Sequence, residues 1–219
     1  MDLSRPLTAL FPGVQGRVLQ FLAGSDEEYT GRRIAAQAGT SPSQTWRVLR
    51  RLTELGVVDR RDVPPAALYR LAHGTLVATA LLDLRFVTDR LIHRMAESAD
   101  AIEPTPVNIT IFGSVARGTS HAGSDIDVLV IHADNVDPSA DPWLSSINAW
   151  RRSVGDLVAN SVEVVQAGET EAHDRLTSRT TPLWNDIVIQ GRHVFGSRLE
   201  ELLSSHEPTT DQDGSRHNR

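Results

Sequence analysis

The run Gly113-Ser114-Val115-Ala116-Arg117-Gly118 follows an apolar segment, Val107-Asn108-Ile109-Thr110-Ile111-Phe112, and precedes Ser124-Asp125-Ile126-Asp127-Val128. A strand that ends in Gly-Ser and turns into a helix directs backbone N–H groups and a hydroxyl outward, which makes a cradle for phosphate. Gly113 lacks a Cβ, so phosphate can approach its backbone closely. Arg117, about one helical turn further on, can add a guanidinium. Asp125 and Asp127 are one residue apart on a strand, so both carboxylates project to one face while Ile126 and Val128 enter the core. Two aligned carboxylates repel unless a cation lies between them. Hard oxygen donors select Mg²⁺ or Mn²⁺, ions that also bind substrate phosphates. A two-metal phosphoryl-transfer site needs a further acid. Glu163, in the otherwise apolar Ser161-Val162-Glu163-Val164-Val165-Gln166, is the candidate, with Asp156 and Glu169 as alternatives. If that strand lies beside the one carrying Asp127, the three carboxylates converge.

Gly-Ser, then Ala-Arg-Gly, then Ser-Asp-Ile-Asp, with a later carboxylate on a strand, resembles the DNA polymerase β-type nucleotidyltransferase superfamily in its minimal branch. The resemblance covers residues 105–200, and Pro182-Leu183-Trp184-Asn185-Asp186 through Gly196-Ser197 is similar to that family's final helix and turn. It implies that Gly113 and Ser114 hold the β- and γ-phosphates of an NTP, ATP being the first candidate, with Arg117 and Ser124 also on the nucleotide. It implies that Asp125 and Asp127 hold two Mg²⁺ ions. Glu163 is then a further metal ligand or the general base on an acceptor hydroxyl. The implied reaction transfers a nucleoside monophosphate and releases pyrophosphate. Antitoxin-type members imply a protein or tRNA acceptor; antibiotic-modifying members imply a small hydroxylated molecule.

These residues need an α/β domain with a short mixed sheet flanked by helices. The periodicity predicts strands over 107–112, 125–131 and 161–166, and a helix over 141–157 with Trp143, Ile147, Trp150, Val154 and Leu157 on one side. Two short helices and a Gly-terminated turn fill 169–204, with Trp184 in the core, and the polar segment 205–219 is expected to be disordered. Upstream, residues 13–23 form a helix and Thr30 caps a second one that stops at Gly39. Ser41-Pro42 opens a third, with Thr45, Val48, Leu49, Leu52 and Leu55 on its inner stripe. Two short strands, 57–60 and 68–71, flank a Pro-rich turn. Three helices and a hairpin make a winged helix-turn-helix, assigned to 1–73. One long helix over 74–98 links it to the second domain, assigned to 100–204.

Composition narrows the chemistry. The chain has 219 residues, no Cys, and 22 basic residues that are all Arg. That removes disulfides, Cys-based zinc sites, a Cys or Lys nucleophile, and a Walker-type loop, which requires Lys. No apolar run is long enough to span a membrane, and no leader pattern stands at the start, so a cytoplasmic protein is expected. The net charge of −6 is uneven: residues 30–72 hold eight Arg and three acids, a formal +5. A basic segment in an acidic chain points to an anionic partner there. Ser43, Gln44, Arg47, Arg50 and Arg51 on the third helix, with Arg60 and Arg61 on the wing, are the candidate nucleic-acid contacts. A homodimer is compatible with this pattern. Two other classes of function fit the same chain: a DNA-binding regulator whose second domain senses a nucleotide without turning it over, and an interaction protein of a toxin–antitoxin pair.

Overall fold

The computed structural model describes residues 1–179 and 181–204; the polar segment 205–219 lies outside them. The N-terminal part contains α1 (Pro6–Leu10), α2 (Val14–Ala23), β1 (Tyr29–Thr30), α3 (Gly31–Gln37), α4 (Pro42–Glu54) and the hairpin β2 (Val58–Val63) and β3 (Ala66–Leu71). Local chemistry starts the two middle helices. The Thr30 hydroxyl accepts from the Arg33 N–H at 3.3 Å, and the Ser41 hydroxyl accepts from the Gln44 N–H at 3.4 Å with Pro42 in the first turn. Leu19, Leu22, Ile34, Leu49 and Leu52 bury their side chains together, each worth roughly 1.5–3 kcal/mol of transfer free energy. The three-stranded sheet, in the order β1-β3-β2, closes one side.

Here the structure corrects three expectations. The hairpin strands run to Val63 and from Ala66, so the turn is only Pro64-Pro65, and Arg61 lies inside a strand opposite Leu68. Cross-strand pairing extends both strands through residues that read as turn. Leu55 is 60% exposed because α4 ends at Glu54 and Leu55 sits past the buried stripe. The segment 74–98 is α5 (Leu76–Asp83), a 3-10 turn at Leu84–Phe86, and α6 (Val87–Ala99). The break lets the two halves serve different cores: Leu81, Leu82 and Leu84 pack on the winged-helix cluster, while Leu91 and Met95 enter the second core.

The second part contains β4 (Asn108–Phe112), α7 (Gly113–Ala116), β5 (Ile126–His132), α8 (Trp143–Val158), β6 (Val162–Gly168), α9 (Glu169–Ser178), α10 (Pro182–Gln190), β7 (Arg192–Gly196) and α11 (Leu199–Ser204). Its sheet has the order β6-β5-β4-β7. β5 and β6 are parallel through α8, and the other neighbours are antiparallel. Helices cover both faces. Ile109, Ile111, Ile126, Val128 and Val130 pack against α6 and α8, and Phe112, Leu129 and Ile131 pack against α9 and α10. Coverage on both sides explains why β4 and most of β5 are uninterrupted buried residues rather than an alternating pattern. Leu157, expected on the inner side of α8, is 47% exposed near the end of that helix. The edge strand β7 stands where the sequence predicts a turn. Arg192-His193-Val194-Phe195-Gly196 is too short and mixed to show period-two alternation.

The N-terminal residues leave the winged-helix core. Leu3 is buried in the second domain's core, and Leu7, four residues on, is buried in the first. The Ser4 and Ser120 hydroxyls are 2.7 Å apart, and the Ser120 N–H donates to Ser4 Oγ at 2.9 Å.

Candidate active site

β4 and β5 pair so that Phe112 lies opposite Asp127, and β5 and β6 pair so that Asp127 lies beside Glu163. Asp125, just before β5, shares the face of Asp127 by alternation. The sheet therefore brings Asp125, Asp127 and Glu163 to one end of two parallel strands, where β4 turns into α7. Asp125 and Glu163 are exposed and Asp127 is half-buried. Among the described residues no group of three acids or histidines is gathered tightly enough to cage an ion as the side chains stand. The shared face is nevertheless crowded with negative charge. Burial pushes the Asp127 carboxyl up, the nearby Asp125 adds to that, and Glu163 and Asp186 raise it further, while Arg117 opposes them.

Gly113 has a φ of +70°, a conformation that side chains avoid. The space where a Cβ would stand is taken by the Asp127 carboxylate. This revises the reason for glycine: its missing side chain admits Asp127 before any phosphate. α7 then carries Ser114 into the turn. The Ser114 carbonyl accepts from the Thr119 N–H at 2.9 Å, and no partner for its hydroxyl is found among the described residues. Arg117 donates from Nη1 to Asp186 Oδ2 at 2.5 Å. Ser124 holds the loop: its hydroxyl accepts from the His121 N–H at 2.9 Å and its carbonyl accepts from Asn160 Nδ2 at 2.8 Å. Ser124 Oγ is thus turned toward the loop backbone. His121 is exposed, and its Nδ1 accepts from the Gly123 N–H at 3.2 Å.

Two contributors are not visible in the sequence patterns. Asp186 is the only acid in the apolar α10, between buried Trp184 and Ile187, and that isolation is the one signal the sequence offers. Ser120 is 2% exposed inside a polar loop, and nothing local marks it. Of the alternatives to Glu163, Asp156 stands on α8 and Glu169 opens α9 past the far end of β6, so neither shares the Asp127 register position.

The winged-helix candidates are scattered around one exposed surface rather than joined. Ser43, Gln44, Arg47, Arg50 and Arg51 lie along α4, all exposed. Arg50 lies 3.6 Å from Glu54 and Arg60 lies 2.6 Å from Asp62. Arg61 is paired with Glu28, which lowers the Glu28 carboxyl and raises the Arg61 guanidinium.

Residues 92–179 match the family model of the nucleotidyltransferase domain, and residues 16–62 match that of the IclR helix-turn-helix domain. This chain carries a nucleotidyltransferase domain behind a helix-turn-helix domain. Over 97 residues it is 29% identical to the protein adenylyltransferase MntA of Shewanella oneidensis, an alignment covering 43% of this chain. The chain spans 58% of the length of that relative. Among solved structures, a toxin–antitoxin complex with AMP-PNP aligns at 25% identity and a TM-score of 0.35, covering 54% of this chain and 82% of that one. A homodimeric winged helix-turn-helix DNA-binding domain from Mycobacterium bovis aligns at 27% identity and a TM-score of 0.31, covering 41% and 80%. Among the described residues no helix is long and apolar enough to cross a membrane.

Proposed function

We propose that this chain is a divalent-cation-dependent nucleotidyltransferase that transfers NMP, with AMP from ATP as the first choice, to an acceptor hydroxyl. The observation that carries the reading is the strand register: Asp127 stands beside Glu163 and against Gly113, at the mouth of the Gly-Ser turn. The donor set is all carboxylate oxygen on one face, which fits Mg²⁺ or Mn²⁺. Asp125, Asp127 and Glu163 would hold the ions, which supply charge neutralisation at the α-phosphate. The backbone N–H groups after Gly113 and the Ser114 hydroxyl receive the β- and γ-phosphates. Arg117 reaches phosphate by leaving Asp186, and Ser124 keeps Asp125 in place by closing the loop. The acceptor hydroxyl oxygen attacks the α-phosphorus as the bond to the β-phosphate oxygen breaks. Pyrophosphate leaves, and Glu163 takes the hydroxyl proton. The likeness to a protein adenylyltransferase favours a protein as acceptor. A cytoplasmic setting suits ATP as donor.

A second reading, a duplex-DNA regulator, is favoured by the +5 charge of residues 30–72 and the exposed face of α4. Calorimetric titration of ATP with and without Mg²⁺, followed by transfer of α-labelled nucleotide in native lysate, separates the two. Mg²⁺-dependent binding that Asp127→Asn loses, with label passing to a macromolecule, is the expected outcome. Nucleotide binding that persists in Asp127→Asn would overturn the site. Binding without label transfer, joined to NTP-responsive binding of promoter duplex, would favour the regulator.

A further inference from the structure

The four tryptophans divide sharply. Trp143, Trp150 and Trp184 are at most 3% exposed, whereas Trp46 is 58% exposed on the outer face of α4. An indole left in water forgoes a large burial gain, and its surroundings decide whether the site is built to take a partner. Trp46 does not stand on a convex ridge. It lines a groove of about 1020 Å³ with Ser43 and Arg47 of the same helix, Arg32 of α3, Pro65 at the wing turn and Tyr69 of β3.

The cations around that groove differ from their neighbours. Arg50, Arg60, Arg61 and Arg70 each have a carboxylate partner, in Glu54, Asp62, Glu28 and Asp59, and Arg33 lies over the Tyr29 ring. Among the described residues no carboxylate partner is found for Arg32, Arg47 or Arg51, and of these Arg32 and Arg47 line the groove. Two uncompensated cations thus stand at the walls of an apolar groove, on α3 and α4, whereas the Arg residues of the wing are paired.

An exposed indole sharing a groove with two uncompensated guanidinium groups matches one ligand chemistry. A base stacks on the ring while the phosphates on either side meet the cations. We infer that this groove binds single-stranded nucleic acid, with Trp46 as the stacking platform and Arg32 and Arg47 as the phosphate contacts. A duplex keeps its base faces stacked on one another and offers only base edges, so the indole face would find nothing to stack on. An unpaired strand can present those faces without breaking base pairs.

Indole emission provides the test, because the other three tryptophans are buried. Dye-labelled oligothymidylate and its duplex with oligoadenylate are titrated with the full chain at several salt concentrations, affinity being read from the anisotropy of the label in wild type and variants alike. Single strand is expected to quench the exposed component and to bind more tightly than duplex. Trp46→Ala is expected to weaken single-strand binding by about 5- to 100-fold. Arg32→Ala with Arg47→Ala is expected to reduce the salt slope by about 0.7 for each phosphate that is no longer neutralised. Both changes are at exposed positions, and an unchanged far-UV circular dichroism spectrum and denaturant melt of each variant show that the winged-helix part keeps its fold. Duplex bound at least as tightly as single strand would overturn the inference in favour of groove reading. Wild-type affinity in Trp46→Ala, or an unchanged salt slope in the double variant, would overturn it outright.

Discussion

The two halves of the chain deploy charge in opposite ways. In the winged helix, cations sit on long, exposed side chains over an apolar core, and several are neutralised by a neighbouring acid. In the nucleotidyltransferase domain, short carboxylates sit at the ends of strands, and Asp127 is half-buried among other acids with only Arg117 opposing. The first arrangement costs little, because water screens exposed pairs. The second is tolerable only on a rigid support, and a sheet covered on both faces supplies it. A surface can collect charge piecemeal, whereas a cluster of like charges has to be imposed by register.

That contrast can be broken most forcefully at Gly113. Gly113→Ala places a Cβ at positive φ in space that the Asp127 carboxylate occupies. We expect it to abolish Mg²⁺-dependent ATP binding and to cost about 1–3 kcal/mol of stability, read by calorimetry and denaturant melts. If binding and stability both survive, the close approach of Asp127 does not define the site. An equivalent Gly39→Ala on the winged-helix surface, where the φ is +60° but no atom lies within 4 Å, should leave ATP binding untouched.

Arg117→Ala comes next. We expect about a tenfold loss of ATP affinity, the size of one charge-assisted phosphate contact. Asp186→Asn should leave a functional Arg117 and shift affinity less. Equal losses in the two variants would mean that the ion pair holds the turn together and does not exchange for phosphate.

Ser4→Ala removes the hydrogen-bonded link to the motif loop at Ser120. A stability loss of about 1 kcal/mol is expected, since Ser120 is buried and would be left without that partner. No measurable loss in a denaturant melt would show that the N-terminal strap merely lies on the loop.

The smallest effect concerns pH. Asp127 is raised above its ordinary value of 3.8 in the folded chain. Below that value both states are protonated and the group contributes nothing. As pH rises from there through the folded value, ionisation is harder in the folded state and stability falls. In metal-free buffer Asp127→Asn should therefore melt slightly higher than wild type above that window and equally below it. A wild type that melts higher at neutral pH would contradict the crowding of charge on that face.

Much of the site is legible in the sequence because strand alternation is a local rule. Asp125 and Asp127 need only their spacing to be placed on one face, and the Gly-Ser turn needs only the apolar run before it. Thr30 and Ser41 likewise announce the helices they cap. Asp186 is not legible, because its role depends on where α10 docks, and a single acid in an apolar helix carries no address. The break at Leu84–Phe86 is hidden for a similar reason. Helical spacing runs through it, and only the presence of two separate cores makes a bend favourable.

By itself the sequence determined the three helices and hairpin of the first part, the strands before and after the Gly-Ser turn, and the face shared by Asp125 and Asp127, since each follows from backbone geometry and side-chain period within a few residues. Tertiary structure alone decided that Glu163 lies beside Asp127, that Arg117 faces Asp186, and that Trp46 opens onto a groove between helix and wing. Those relations join residues far apart in the chain, and only packing of the sheet and helices sets the distances on which their electrostatics depend.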